Sequence, residues 1–197
     1  MPQELNGKTR SRVETKRQIM SLLHLKGPLS RTDIKQILSI PKPTVTRIID
    51  ELLSEGLVLQ TGSIDTMTGR KPVFIDINSK AHYCIGVNIS RHTIHCILVD
   101  FKLNMVSERM EKVNMRTFFH GLPNLVDAYV ELIIKNIENV IKDANIEKER
   151  ILGIGLGAPG FVSSDDGIIR NFAMMGVLKD LHIQKILSQY FDMQVIV

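Results

Sequence analysis

The run Lys42-Pro-Thr-Val-Thr-Arg47 places an ammonium, two hydroxyls and a guanidinium within two helical turns. Thr hydroxyls can hydrogen-bond bases or phosphates, and Arg can pair bidentately with guanine. Lys42 is placed for a phosphate. A second basic cluster follows at Gly69-Arg-Lys-Pro72. An extended arm flanked by Gly and Pro can enter the narrow minor groove of A·T-rich DNA, where the negative potential attracts Arg. Ser30 and Arg31 open the helical stretch before Lys42 and complete the set. The candidate DNA contacts are therefore Ser30, Arg31, Lys42, Thr44, Thr46, Arg47, Arg70 and Lys71.

Other chemistry is thinner. Gly155-Leu-Gly-Ala-Pro-Gly160 fits the letters of a dinucleotide-binding turn, but such a site needs a helix to open there. Pro159 and the Phe-Val-Ser-Ser-Asp-Asp-Gly that follows do not start one. His92 and His95 share one strand-like stretch with no Cys or carboxylate cluster beside them. Asp165-Asp166 lie in a Gly-ended turn, which suits solvated turn residues. Cys84 and Cys96 lack zinc spacing and are too few for a disulfide framework. Both sit in apolar runs and are expected to be small core residues. No catalytic residue, metal site or cofactor is expected.

The elements that must position the DNA contacts follow from periodicity. Val13, Ile19, Leu22, Leu23 and Leu25 recur on a helical period over Arg12–Lys26, which Gly27-Pro28 ends. Ser30 is an apt N-cap for a second helix, Arg31–Leu38, with Ile34, Ile37 and Leu38 on its apolar face. A third helix starts at Lys42-Pro43 and buries Val45, Ile48, Ile49, Leu52 and Leu53, with Gly56 as its stop. That leaves Thr44, Thr46 and Arg47 outward at its N-terminal end, where a recognition helix meets base edges. Two strands, Leu57–Leu59 and Val73–Ile77, flank the basic cluster. Three helices followed by strand–loop–strand make a winged helix-turn-helix.

The rest of the chain reads differently. Strands are expected at 83–89, 94–100 and 105–113, joined by short turns. A long amphipathic helix spans 122–143, and Ile151–Gly157 is a buried strand. A turn at Ala158-Pro159-Gly160, a polar hairpin at 163–167, a helix over 179–190 and a strand at 194–197 complete it. The overall class is α+β, with residues 1–79 and 80–197 as two domains. Charge divides at the same place: 13 Lys/Arg face 8 Asp/Glu in residues 1–80, and 12 face 13 in residues 81–197. A polyanion partner for the first part alone explains that split. There is no signal-like segment and no apolar run of membrane length, so a cytoplasmic protein without membrane contact is expected.

The order βββαβα is that of the N-terminal lobe of a ribonuclease-H-like, actin-like ATPase domain. Together with the Thr44-Val-Thr-Arg47 helix, the Gly69-Arg-Lys-Pro72 arm and Gly153-Ile-Gly-Leu-Gly-Ala-Pro-Gly160, it resembles the ROK-family transcriptional regulators, which are related to bacterial sugar kinases. The resemblance spans essentially the whole chain. It implies a repressor of carbohydrate genes acting at a double-stranded operator, a homodimer or higher homo-oligomer, and a small sugar effector near Gly157, Pro159 and Gly160, with Asn171 as a further contact. Met174 stands where the family places its sugar-contacting Asn. The family's kinases carry a Gly-rich phosphate loop where this chain reads Asn88-Ile-Ser-Arg-His-Thr93, so ATP is not expected to bind there. A sugar kinase, or a non-catalytic remnant of one, is the rival. A partner-protein module built on the winged helix is a third reading. The apolar Val195-Ile-Val197 suggests a fold stopped after its first lobe, as in a fragment or truncated product, prone to self-association.

Overall fold

In the computed structural model the described residues are 7–62, 73–90, 92–113, 124–163, 166–171 and 179–197. They form two compact units that divide between Ala81 and His82.

The first unit opens with α1, Gly7–Lys26. It begins earlier than the apolar period suggests, and residues 11–14 are exposed. Ile19, Leu22 and Leu23 are buried, whereas Val13 and Leu25 of the same period are exposed. Gly27, at φ +80°, ends the helix with its N–H on the Leu23 carbonyl. Strand β1 (Leu29–Ser30) leads directly into α2, Arg31–Leu38. Ser30 caps α2 as expected: its Oγ accepts from the Asp33 N–H at 3.2 Å, and its own N–H donates to the Asp33 carboxylate at 2.9 Å. Ser39 takes the left-handed conformation that closes α2, and α3 runs Lys42–Ser54 with Pro41 at its N-cap.

Val45, Ile48, Ile49 and Leu52 of α3 are buried and meet Ile34 of α2 and the α1 stripe in one core. Leu53 and Leu38 are only partly covered, and Ile37 is exposed. Past Glu55, Gly56 (φ +70°) donates to Leu53 and Leu57 donates to Leu52. This pair of bonds satisfies the last carbonyls and turns the chain into β2, Val58–Thr61. Strand β3, Phe74–Ile77, pairs antiparallel with β2 and with β1, giving the sheet order β1-β3-β2. The first unit is thus a winged helix-turn-helix. Most of the loop between β2 and β3, including Arg70 and Lys71, lies outside the described residues.

The second unit is built on a five-stranded sheet formed, in spatial order, by Gln194–Ile196, Ile151–Gly157, Tyr83–Ile89, Thr93–Asp100 and Met105–Lys112. Strands β4 (Tyr83–Ile89), β5 (Thr93–Asp100) and β6 (Met105–Lys112) form an antiparallel meander. Helix α4, Leu125–Ala144, then crosses the sheet to β7, Ile151–Gly157, which lies parallel to β4. Helix α5, Ile183–Phe191, leads to β11, Gln194–Ile196, parallel to β7. Alternate residues of β4 and β5 (Ile85, Val87, Ile94, Cys96, Leu98) pack with Tyr129, Ile133, Ile137 and Val140 of α4 and with Ile183, Leu187 and Phe191 of α5. Both helices therefore share one core. Asn136 of α4 is buried and satisfied, donating to Glu111 at 2.6 Å and to the Leu132 carbonyl at 2.9 Å.

Two expectations are corrected here. The helix expected from Lys179 begins only at Ile183, because Lys179–Leu181 pairs as strand β10 with β9 (Ile168–Asn171), placing Leu181 in the core. Strand β8, Phe161–Ser163, joins them in a separate three-stranded sheet, so the polar hairpin is its turn. Cys96 is buried as expected, its thiol pushed up to about 12 by burial and by Glu111. Cys84 is only half-buried, since its side chain alternates to the other sheet face from Ile85. Both thiols are free.

Candidate nucleic-acid interface

The first turns of α3 present the chemistry expected of a reading helix. Pro41 at the N-cap offers no side-chain cap, and its carbonyl takes the N–H groups of Thr44 and Val45 at 3.0 and 3.1 Å. Burial of Val45, Ile48, Ile49 and Leu52 fixes the rotation of the helix about its axis. Lys42 and Arg47 are therefore exposed, and Thr44 and Thr46 partly so. Lys42, Pro43, Thr46, Arg47, Asp50, Glu51 and Ser54 line one surface concavity along α3.

Further down, the same outer face turns acidic, and cations from the other helices answer each acid. Arg31 donates to Asp50 at 2.8 Å and to the Thr46 carbonyl at 3.4 Å, tying the start of α2 to the middle of α3. Arg12 of α1 meets Glu51 at 3.0 Å, and Lys16 lies 3.6 Å from Glu51 and 2.5 Å from Glu55. Arg47 reaches Glu51 from its own helix at 3.2 Å. Desolvation is the largest influence on the Glu51 carboxyl and acts to raise its pKa. The Arg12 hydrogen bond and the charges of Arg12, Lys16 and Arg47 together outweigh it and hold the carboxyl below its ordinary range.

The structure thus gathers Lys42, Thr44, Thr46 and Arg47 at one end of α3, with the Arg31 guanidinium bonded to the Thr46 carbonyl beside them and Ser30 at the α2 cap. The Ser30 hydroxyl serves the α2 cap and the Arg31 guanidinium serves Asp50 and Thr46. Arg70 and Lys71 lie outside the described residues. Sequence reasoning missed Glu51, Arg12 and Lys16. The i,i+4 spacing of Arg47 and Glu51 was the one signal available, because the α1 cations are brought there only by helix packing.

A second site was expected in the other unit. Gly157 ends β7 opposite Asn88 of β4, whose Oδ1 would lie 3.6 Å from a Cβ added at Gly157. Gly160 has φ +116°, open to few residues but glycine, and the next residue, Phe161, pairs with Asn171 across β8 and β9. Pro159 is half-buried between them in sequence. Gly157, Pro159, Gly160 and Asn171 are thus linked through one turn and one strand pair, while Met174 lies outside the described residues. The β4–β5 turn closes on itself. Ser90 donates its N–H to the Thr93 carbonyl at 2.9 Å, and the N–H groups of His92 and Thr93 go to the Ser90 hydroxyl at 3.4 and 3.1 Å. Ser90 Oγ also lies 2.6 Å from Thr93 Oγ1. Among the described residues no cluster of His, Cys, Asp and Glu could hold a metal ion, and no helix is long and apolar enough to cross a membrane.

Comparison with known proteins agrees with this division. Residues 84–197 match the model of the ROK family, and residues 14–63 match that of the MarR family. The chain is 31% identical over 158 residues to a putative xylose repressor of Caldicellulosiruptor sp. (strain Rt8B.4), covering 78% of this chain and 38% of that protein. It is 23% identical to the xylose repressor of Bacillus subtilis (strain 168), covering 87% of this chain and 42% of that one. The DNA-binding transcriptional repressor Mlc of Escherichia coli (strain K12) is also 23% identical, with 87% and 41% covered. The chain spans about two-fifths of the length of these curated relatives. In fold it resembles a solved ROK-family transcriptional regulator described as a homologue of E. coli MLC, with TM-score 0.69 and 20% identity over 95% of this chain and 45% of that one.

Proposed function

The chain belongs to the ROK family, and from that premise we propose that it is a sequence-specific DNA-binding regulator, a repressor of carbohydrate genes that responds to a small sugar. Residues 1–79 are assigned to DNA binding and residues 80–197 to the first lobe of an effector domain. One observation carries the reading: the N-terminal turns of α3 expose Lys42 and Arg47 beside Thr44 and Thr46, on a helix whose rotation is set by four buried residues. That is the placement a helix-turn-helix uses in the major groove. Arg70 and Lys71 are assigned to minor-groove contacts from their sequence context alone. As a dimer, such a unit would meet the two half-sites of a palindromic operator.

The relatives named as xylose repressors and as the repressor Mlc support carbohydrate control. Effector binding is assigned to the turn Gly157–Gly160 with Asn171, where Gly160 allows close backbone approach. Sugar bound there acts by favouring one of two states that differ in DNA affinity. Against a kinase stands the β4–β5 turn, whose N–H groups at Ser90, His92 and Thr93 are engaged within the turn rather than presented to a phosphate.

The test is enrichment of a random duplex pool on the chain, followed by anisotropy titration of the selected duplex with and without xylose, glucose or N-acetylglucosamine. Selective, salt-dependent binding supports the reading. Equal binding to all duplexes, or ATP-dependent phosphorylation of any of these sugars, overturns it.

A further inference from the structure

Glu51 joins parts of the first unit that the sequence keeps apart. Its carboxylate takes Arg47 from its own helix at 3.2 Å, and Arg12 and Lys16 from α1 at 3.0 and 3.6 Å. The Glu51 side chain is 20% exposed and that of Arg47 is 55% exposed. The carboxylate is therefore the held member and the guanidinium the reachable one. An exposed pair at this spacing is weak alone, and weaker with the cation on the N-terminal side. A carboxylate already immobilised by two other cations gives up less freedom in holding a third. Arg47 is thus biased to one direction along α3 without being locked there.

We propose that Glu51 is a specificity-determining positioning residue for DNA reading. It holds the Arg47 guanidinium in one reach and, through Arg12 and Lys16, makes α1 part of that setting. The proposal rests on α3 being the reading helix. Two effects separate it from simple stapling of α1 to α3. The negative charge near the groove weakens binding to every duplex alike, because it repels phosphates regardless of sequence. The alignment of Arg47 strengthens binding only where a guanine matches it. Loss of Glu51 therefore raises non-specific affinity and lowers discrimination together, whereas a staple changes only stability.

The experiment uses the full chain, a duplex enriched from a random pool by the wild type, and a shuffled duplex of the same composition. Glu51→Gln is expected to bind the shuffled duplex about threefold tighter, the scale of one exposed charge pair. Its preference for the selected duplex falls about fivefold, the low end of what one side chain–base pair contributes. Glu51→Asp keeps the charge and loses the reach, so its non-specific affinity stays and its preference falls. In an Arg47→Ala background Glu51→Gln leaves the preference unchanged. Thermal melting checks that each variant is folded. A folded Glu51→Gln or Glu51→Asp with wild-type preference overturns the proposal, as does an undiminished effect in the Arg47→Ala background. If the wild type enriches no duplex, the reading of α3 falls and the proposal with it; an enriched duplex with insensitive variants removes the proposal alone.

Discussion

Arg47 and Lys42 share the exposed start of α3 but can do different things on a duplex. Arg presents a planar fork suited to guanine, and Lys a compact charge suited to phosphate. Arg47→Ala should lower affinity for the selected duplex about 5- to 100-fold and relax its sequence preference, measured by anisotropy. Lys42→Ala should weaken selected and shuffled duplexes alike and reduce the log–log salt slope by about 1. Ser30 acts differently, because its hydroxyl and backbone both engage Asp33. Ser30→Ala should destabilise the first unit by about 1 kcal/mol in urea titration. Its effect on DNA binding should vanish once binding is normalised to folded protein. A residual loss would mean that Ser30 contacts DNA as well as capping α2.

Helix α4 lies across β6 through one neutral and one charged contact. Ser107 donates to the Val140 carbonyl at 2.7 Å, and Arg109 meets Asp143 at 2.6 Å. The Arg109 hydrogen bond, ahead of an opposing desolvation, holds the Asp143 carboxyl below its ordinary range. A depressed carboxylate contributes stability that is complete above its unfolded pKa and is lost as pH falls through the folded one. The melting-temperature gap between wild type and Asp143→Asn should thus be full at neutral pH and close in strong acid. A gap independent of pH would mean the pair contributes nothing through charge. The β7–β11 pairing depends on shape instead. A Cβ on Gly153 would lie 2.6 Å from the Gln194 carbonyl oxygen, so Gly153→Ala should loosen β11 and lower the melting temperature. Gly155, with open space around its Cβ position, should accept alanine with little change.

Across the whole chain the positive excess lies in residues 1–80. Because counterion release scales with phosphates contacted, DNA affinity should fall steeply with salt, with a log–log slope of roughly −0.9 per phosphate. Much of the architecture behind this was legible. The apolar stripes at Ile19–Leu23, Ile34 and Val45–Leu52 gave three helices in place, and alternation in β4 and β5 gave the meander. Helix ends were legible at Ser30 and Gly56, whereas the Asn124 cap went unread and the helix expected from 122 begins at Leu125. Lys179–Leu181 was misread because three residues carry no period, and only the partner strand β9 makes them a strand. Val13 and Leu25 share the helical period yet are exposed, because that period identifies a face but not how far the neighbouring helices extend over it.

By itself, the sequence determined the winged helix, the order of strands and helices after it, and the four side chains at the start of α3. Those features follow from local causes: period, capping and turn chemistry. Only the tertiary structure decided what those side chains are tied to. Glu51 with Arg12 and Lys16, and Arg31 with Asp50, lie 39, 35 and 19 residues apart and meet because apolar burial brings α1, α2 and α3 together. Ion pairs of that range have no signature in the chain, since charged residues on exposed faces are interchangeable until packing chooses their neighbours.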